Sequence, residues 1–581
     1  MSTETSTETR PQFAPSETVA VAPAIARIIG LGGLFCLTVG VMSVIAGQYG
    51  RGLFGSGLGY LFAAAGLTGL FIHAARDSDT EVRRLYGSFA AALLFIAVVI
   101  SVVPGPFSGN VDRTLGYYFL PWGAVAGLVA LLFAVPFSRY EWEEPYIVWV
   151  TLALLGVGGL LTFGAVVAGV IFPDTLIGPG LVASILGLGY LSTYLANADT
   201  SDGVGYRVAG ALGVLGGVAL IIALGQSIVP TVLHDGPAAL KTPLQTYDLW
   251  KIVARLGAIA ASLGLAYYGV VGRVPSWLRG GLVVLGIAAA GAFVLGSFTA
   301  PIQNAPKPYL VPYGLLLGAI GIMYLGVAVG ITADAPFVVL ARRELSSFFY
   351  SPVAYIVLFV MALSAAIGYM FFVDLIPRNG ALEPILQDYL PGTFVGPLIV
   401  PFLVPALTMR LLSEEKRTGT LEVLLTAPVS EGTVVLSKFF ACWMFYLLCW
   451  APAGLYLIGL RVAGGQPFDY RPLLSFFLAV GVTGAAFVSI GLFFSALTQN
   501  QIVAAVLTFV VLLMFMMARW TRLLESLGAT VKTGLSKLAY WNLWDEALRG
   551  QLLVGDMLIQ ASIAVFGVFL TIKVLEARKW S

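Results

Sequence analysis

Met409-Arg410-Leu-Leu-Ser413-Glu414-Glu415-Lys416-Arg417-Thr418-Gly419-Thr420-Leu421-Glu422-Val-Leu424-Leu425-Thr426-Ala427-Pro428-Val-Ser430 is the densest run of charge in the chain. It separates two apolar blocks, near 393–412 and 439–460. Ser413 is suited to cap a short turn whose positive end carries Glu414 and Glu415. Gly419 breaks that turn. Thr420 starts a second one, with Leu421, Leu424 and Leu425 on one face. Pro428 stops it, and Ser430 is placed to cap the block that follows. A short two-faced helix held between membrane spans suits docking to a soluble partner. A solvated charged loop satisfies the same residues, and the pattern alone leaves both open.

The flanking blocks decide the fold class. Of 581 residues, 59% are hydrophobic and 11% charged, against about 25% charged in soluble domains. Mean hydropathy is +0.91. The apolar residues come in runs of about 20, the length that crosses roughly 30 Å of hydrocarbon as a helix. We read an all-α polytopic membrane protein with about sixteen spans. About ten lie near 28–47, 53–74, 86–103, 117–137, 147–172, 176–195, 208–229, 252–271, 281–300 and 309–332. Six more lie near 352–373, 393–412, 439–460, 473–497, 503–518 and 558–574. Glycines recur in the first set, as in Gly156-Val-Gly-Gly159 and Gly213-Val-Leu-Gly216-Gly217, where small residues let helix backbones approach in lipid.

Three regions follow: residues 1–26, a polar and disordered cytoplasmic N-terminus; 27–333, a membrane domain of unknown role; and 334–581, a six-helix unit. The first apolar block has spanning length, so the N-terminus reads as no signal peptide. Basic residues set the orientation. With the N-terminus inside, internal loops carry Arg76, Arg83, Arg84, Arg139, Arg207, Arg273, Arg279, Arg342, Arg343, Lys416, Arg417 and Lys438. The tail adds Arg578 and Lys579. Short external loops hold fewer. The exception is external segment 519–556, with Arg519, Arg522, Lys532, Lys537 and Arg549.

A second informative stretch runs from Asp334 to Pro352. Asp334 and Pro336 suit a helix start. Phe337, Leu340, Ala341, Leu345 and Phe348 fall on one face, and Arg342, Arg343, Ser346 and Ser347 on the other, the pattern of a helix lying along the membrane surface. Glu344 misfits, landing at the edge of the apolar face. Ser351-Pro352 ends the helix and opens the next span.

These segments resemble the permeases of type-two ABC exporters, particularly the gliding-motility-associated subfamily. The likeness is carried by Arg343-Glu344, Ser351-Pro352-Val-Ala-Tyr355, Pro405 to Val429, Leu548-Arg549-Gly550 and Leu575 to Trp580. It covers roughly 337–581. Asn542 departs from that subfamily, where a His or similar polar residue is expected. The resemblance implies an interfacial elbow at Arg342, Arg343, Glu344, Ser351 and Pro352. It implies a coupling helix contacting the ATPase through Glu414, Glu415, Lys416, Arg417, Gly419, Thr420, Leu421, Glu422 and Leu425. It also implies that 541–549, with Trp541 and Trp544, dips back into the membrane, although a plain interfacial loop fits the same residues. The partners implied are a separate ABC ATPase that holds ATP and Mg²⁺, and a second copy or second permease subunit. The location implied is the bacterial cytoplasmic (inner) membrane, with both termini cytoplasmic.

Other classes find little support. There is no Gly-x-x-x-x-Gly-Lys-[Ser/Thr] phosphate loop. Gly464-Gly465-Gln466 lacks the residues that would make it an ABC signature. We expect no catalytic residue, no metal site and no cofactor on this chain. Cys36, Cys442 and Cys449 lack metal spacing, and no basic patch suits nucleic acid. The assigned spans hold essentially no mid-membrane ionisable group of the kind ion-coupled transporters use. A lipid- or glycan-processing enzyme would have to draw on Asp199 and Asp202 or on Glu141, Glu143 and Glu144, which read better as solvated loop charges. A scaffold or sensor role for the first ten spans is the remaining alternative.

The orientation is directly testable. Single cysteines at positions 387, 415, 538 and 581, in a background lacking the three native cysteines, are treated on intact cells with an impermeant thiol reagent. Labelling at 387 and 538 only is the expected result. Labelling at 415 without permeabilisation overturns the topology.

Overall fold

The computed structural model describes residues 23–48, 56–76, 79–103, 118–140, 146–198, 203–231, 257–260, 262–264, 266–267, 276–302, 313–333, 335–350, 352–379, 395–422, 429–462, 471–500, 501–519, 534, 537–550 and 551–579. Outside them lie the N-terminal segment to Val19, Glu141, Glu143, Glu144, Asp199, Asp202, Asp334, Ser351, Gln387, Leu424, Leu425, Gly464 to Gln466 and most of the span expected at 252–271.

Among the described residues the chain is helical, with no strand. The helices are α1 Pro23–Gln48, α2 Ser56–Arg76, α3 Thr80–Val102, α4 Ala124–Tyr140, α5 Tyr146–Ile171, α6 Pro179–Asn197, α7 Val204–Thr231, α8 Ser276–Ile302 and α9 Leu315–Thr332. They continue as α10 Pro336–Tyr350, α11 Pro352–Asn379, α12 Val395–Thr408, α13 Ser413–Thr418, α14 Glu431–Val462, α15 Arg471–Leu497, α16 Gln501–Met517, α17 Tyr540–Leu548 and α18 Val554–Lys579. Nine helices in the described residues are long and apolar enough to cross a membrane, and others are shorter but apolar. The protein is therefore all-α and polytopic.

Local chemistry sets several boundaries. Asp79 starts α3 six residues before the apolar block expected at 86, its carboxylate accepting from Glu81 N at 3.0 Å. Asn500 caps α16 by accepting from Ile502 N at 2.9 Å. Ser430 caps α14, its hydroxyl accepting from Thr433 N at 3.2 Å. That cap starts α14 at Glu431 rather than near 439, giving a helix of 32 residues. At 1.5 Å per residue this is about 48 Å, longer than the roughly 30 Å of hydrocarbon. Its first turns therefore reach into the interfacial layer.

The chain divides into two compact units. One comprises 1–164 with 182–197, and the other 165–181 with 198–581. The boundaries between them fall at 164/165, 181/182 and 197/198. In the larger unit, α7, α8 and α9 pack together, while 354–575 build a separate continuous core around Tyr446, Trp450, Phe476, Phe487 and Trp544. Helix α17 packs into this core rather than lying on its surface. Tyr540, Trp541, Leu543 and Trp544 are buried, and Trp544 Nε1 donates to Thr483 Oγ1 at 3.1 Å. Arg519, one of the basic residues that break the external charge rule, pairs with Asp545 at 2.7 Å and lies 4.5 Å over the Trp541 ring. Its charge serves a local contact.

Glycine spacing matters only where backbones touch. A Cβ on Gly216 would come within 2.7 Å of Gly321 O, and a Cβ on Gly321 within 2.7 Å of Gly216 O. The α7–α9 crossing therefore requires both. In the Gly156-Val-Gly-Gly159 run only Gly158 meets a neighbour, Leu191 N at 2.8 Å. Gly156 and Gly159 face open space. Overpacking of this kind costs about 1–3 kcal/mol. Gly321→Leu should lower the thermal midpoint of the purified protein, whereas Gly326→Leu, at a position with nothing within 4 Å, should leave it unchanged. Equal effects at both sites would contradict the crossing.

Candidate functional site

The site is built where the surface helix α10, the short helix α13 and the start of α14 converge. Helix α10 has the two faces expected of it. Ala341 is buried, Phe337, Leu340, Leu345 and Phe348 are half-buried, and Arg342, Arg343, Ser346 and Ser347 are exposed. Phe348 stacks on Phe445 of α14 with centroids 4.9 Å apart. Glu344, the misfit on this face, is also buried, and its reason is an ion pair. Lys438 Nζ lies 2.9 Å from Glu344 Oε2 and 2.7 Å from Glu415 Oε1. The Lys438 side chain is 2% exposed. Arg343 completes the chain of alternating charges at 2.8 Å from Glu344 Oε1. One buried cation thus joins α10, α13 and α14.

Lys438 stands seven residues into α14, about 10 Å along its axis. This is deep enough to be covered by α10 and shallow enough to avoid the hydrocarbon centre. The Glu344 carboxyl feels two opposed influences. Burial pushes its pKa up, but Lys438 and Arg343 outweigh burial and hold it below the usual 4.5. The hydrogen bond from Arg410 likewise lowers Glu414, the pair being joined at 2.8 and 3.1 Å.

Helix α13 is fastened rather than loose. Ser413 does not cap it. The N-cap is Leu412, and the Ser413 hydroxyl donates to Met409 O instead. The first amides find a tertiary partner, because Ser495 Oγ accepts from Leu412 N at 3.0 Å and Ser413 N at 3.1 Å. Lys416 is buried and donates to Ala496 O. Gly419 ends the helix in the left-handed region at φ 74, a conformation that disfavours a side chain. The helix resumes at Thr420, and Leu421 is 3% exposed, turned into the core and not outward.

The expected coupling residues therefore separate into two sets. Lys416 and Leu421 are buried, and Glu414 and Glu415 are half-buried. Arg417, Gly419, Thr420 and Glu422 are exposed, as is Thr418 between them. Leu425 lies outside the described residues. Of the elbow residues, Arg342 donates to Ile331 O at 3.2 Å, Arg343 and Glu344 enter the ion chain, and Pro352 opens α11. Between the helices is a cavity of about 580 Å³ lined by Glu344, Phe348, Arg410, Glu414, Glu415 and Lys438, among others.

Residues 384–542 match the family described as ABC-2 family transporter protein. That stretch, about a quarter of the chain, is similar to this family, which supports a transporter membrane subunit. Members of this family typically work with an ABC ATPase. The ABC-2 match includes α13, Lys438 and Ser495 and stops short of α10. No curated protein matches the chain.

Sequence reading did not single out Lys438, Ser495 or Arg410. Lys438 had one usable signal, the carboxylate of Glu344 on an apolar face, which requires a buried cation. Spacing could not name that cation, 94 residues away. No group of three His, Cys, Asp or Glu able to hold a metal occurs among the described residues.

Removing one partner of a buried ion pair costs about 3–5 kcal/mol. Lys438→Met should therefore destabilise the purified chain by that order in thermal unfolding, and Lys438→Arg by much less. Because the Glu344 pKa is lowered on folding, its stabilisation is complete above the usual 4.5 and is lost as pH falls below it. Glu344→Gln should flatten this acid limb of the unfolding midpoint. An unchanged limb would exclude Glu344 as its source.

Proposed function

We propose that this chain is the membrane-spanning permease of an ATP-driven exporter in the bacterial cytoplasmic membrane, energised by a separate ABC ATPase docking on 413–428. The ATPase holds ATP and Mg²⁺. The observation that carries the proposal is the division of the α13 region into an exposed polar rim, Arg417 to Thr420 with Glu422, and a base locked to the bundle by Lys438, Ser495 and Lys416. A partner pressing on the rim would move the base, and the buried ion chain would carry the motion to α10 and α14. Both termini face the cytoplasm. An ATPase dimer needs two membrane halves, so the chain pairs with a second copy or with a second permease.

The test is co-expression with the ATPase and recovery of the complex. Arg417→Glu combined with Glu422→Lys should reduce co-purified ATPase at least tenfold. Both side chains are exposed, so the thermal midpoint should not change. Glu415 is unsuitable for this purpose because altering it breaks the Lys438 pair. ATPase recovery unaffected by the double substitution overturns the docking surface.

A further inference from the structure

The opening N–H groups of a helix find no acceptor within it. For α13 the acceptor comes from α15, where Ser495 Oγ accepts from Leu412 N at 3.0 Å and Ser413 N at 3.1 Å. The same hydroxyl donates to Met409 O at 3.3 Å. One donor and two lone pairs are all that a serine hydroxyl has, so its capacity is spent on the α12–α13 corner. One residue on, Ala496 O accepts from Lys416. One turn back, Gly491 makes room for Thr408, whose side chain a Cβ there would strike. Residues 491–496 of α15 thus form the seat of α13.

The other half of α15 is the seat of α17. Ser475 Oγ donates to Ala547 O, and Thr483 Oγ1 accepts from Trp544 Nε1 at 3.1 Å. The Phe476 ring meets the Trp544 ring edge-on with centroids 5.6 Å apart. From Ser475 to Ser495 α15 advances about 30 Å at 1.5 Å per residue, close to the thickness of the hydrocarbon layer. One long helix therefore holds a short helix near each of its ends.

The backbone between the two seats is uninterrupted. The proline of α15, Pro472, stands in its first turn, where no bond within the helix is lost. Helix α14 also touches both short helices, through Lys438 and through the Trp450 ring 5.2 Å from Trp544. There, however, Pro452 removes the bond to Leu448 O at the level of that ring, and Pro401 and Pro405 interrupt α12. Among the candidate spans of the described residues, α15 is the most enclosed by protein. We infer that α15 is a rod that passes a displacement of α13 on to α17, with Ser495 the positioning residue at its driven end. The inference rests on ATPase docking at the α13 rim and extends it to the far end of α15.

The full-length chain, lacking its native cysteines and carrying Ala547→Cys, is co-purified with the ATPase. The rate at which a thiol reagent labels position 547 is measured with ADP and with ATP plus vanadate. Ala547 is fully buried, so labelling is slow while α17 stays seated. ATP plus vanadate should raise the rate at least about fivefold, the lower end of coupling between distant sites. Ala328→Cys, also buried but on α9, should show no rise. Ser495→Ala should abolish the rise at 547 with the recovered ATPase unchanged, and Ser495→Thr, which keeps the hydroxyl, should retain it. A purely structural Ser495 would lower the thermal midpoint and leave the rise in place, which overturns its role. If Ala547→Cys does not fold, Leu548→Cys takes its place, and if Ser495→Ala does not fold, the chain with native Ser495 decides. ATPase recovered and active with no rise at 547, or with an equal rise at 328, overturns the rod and leaves docking standing. ATPase that does not co-purify overturns the docking reading and the rod with it.

Discussion

The ammonium of Lys438, almost wholly out of solvent, holds together parts of the chain that sequence keeps far apart. Its partners are Glu344 on the surface helix and Glu415 on the short helix. Leaving any one of these charges buried alone would cost several kcal/mol, so the three elements must keep company. The geometry of α10, α13 and α14 therefore behaves as one constraint. Arg343 extends the charge chain to the solvent and balances it, so no net charge is left behind.

Around that constraint the packing is asymmetric in a useful way. The base of α13 has every reason to stay put. Its amides are accepted by Ser495, Lys416 reaches Ala496 O, and Leu421 joins the apolar core. Its outer rim has little to hold it. The ABC-2 match over 384–542 falls on this part of the chain.

Elsewhere, stability rests on contacts that lipid permits and water would not reward. The α7–α9 crossing depends on reciprocal glycine contacts, because close van der Waals approach is the main attraction between helices in a bilayer. The α17 helix is buried by its aromatic side chains, with Trp544 satisfied by Thr483.

Sequence alone determined the membrane class, most of the spans, the two faces of α10 and the break at Gly419. These depend on runs of apolar residues, on helical periodicity and on a backbone conformation that favours glycine, all local properties. It also marked Glu344 as out of place. It could not show that Lys438 answers Glu344, that Ser495 rather than Ser413 accepts the first amides of α13, or that Leu421 turns inward. Those outcomes join residues tens of positions apart, and the cost of burying an unpaired charge or amide is incurred only once the helices have packed. Tertiary structure therefore decided which charged residues of the 413–422 segment became fasteners and which stayed exposed.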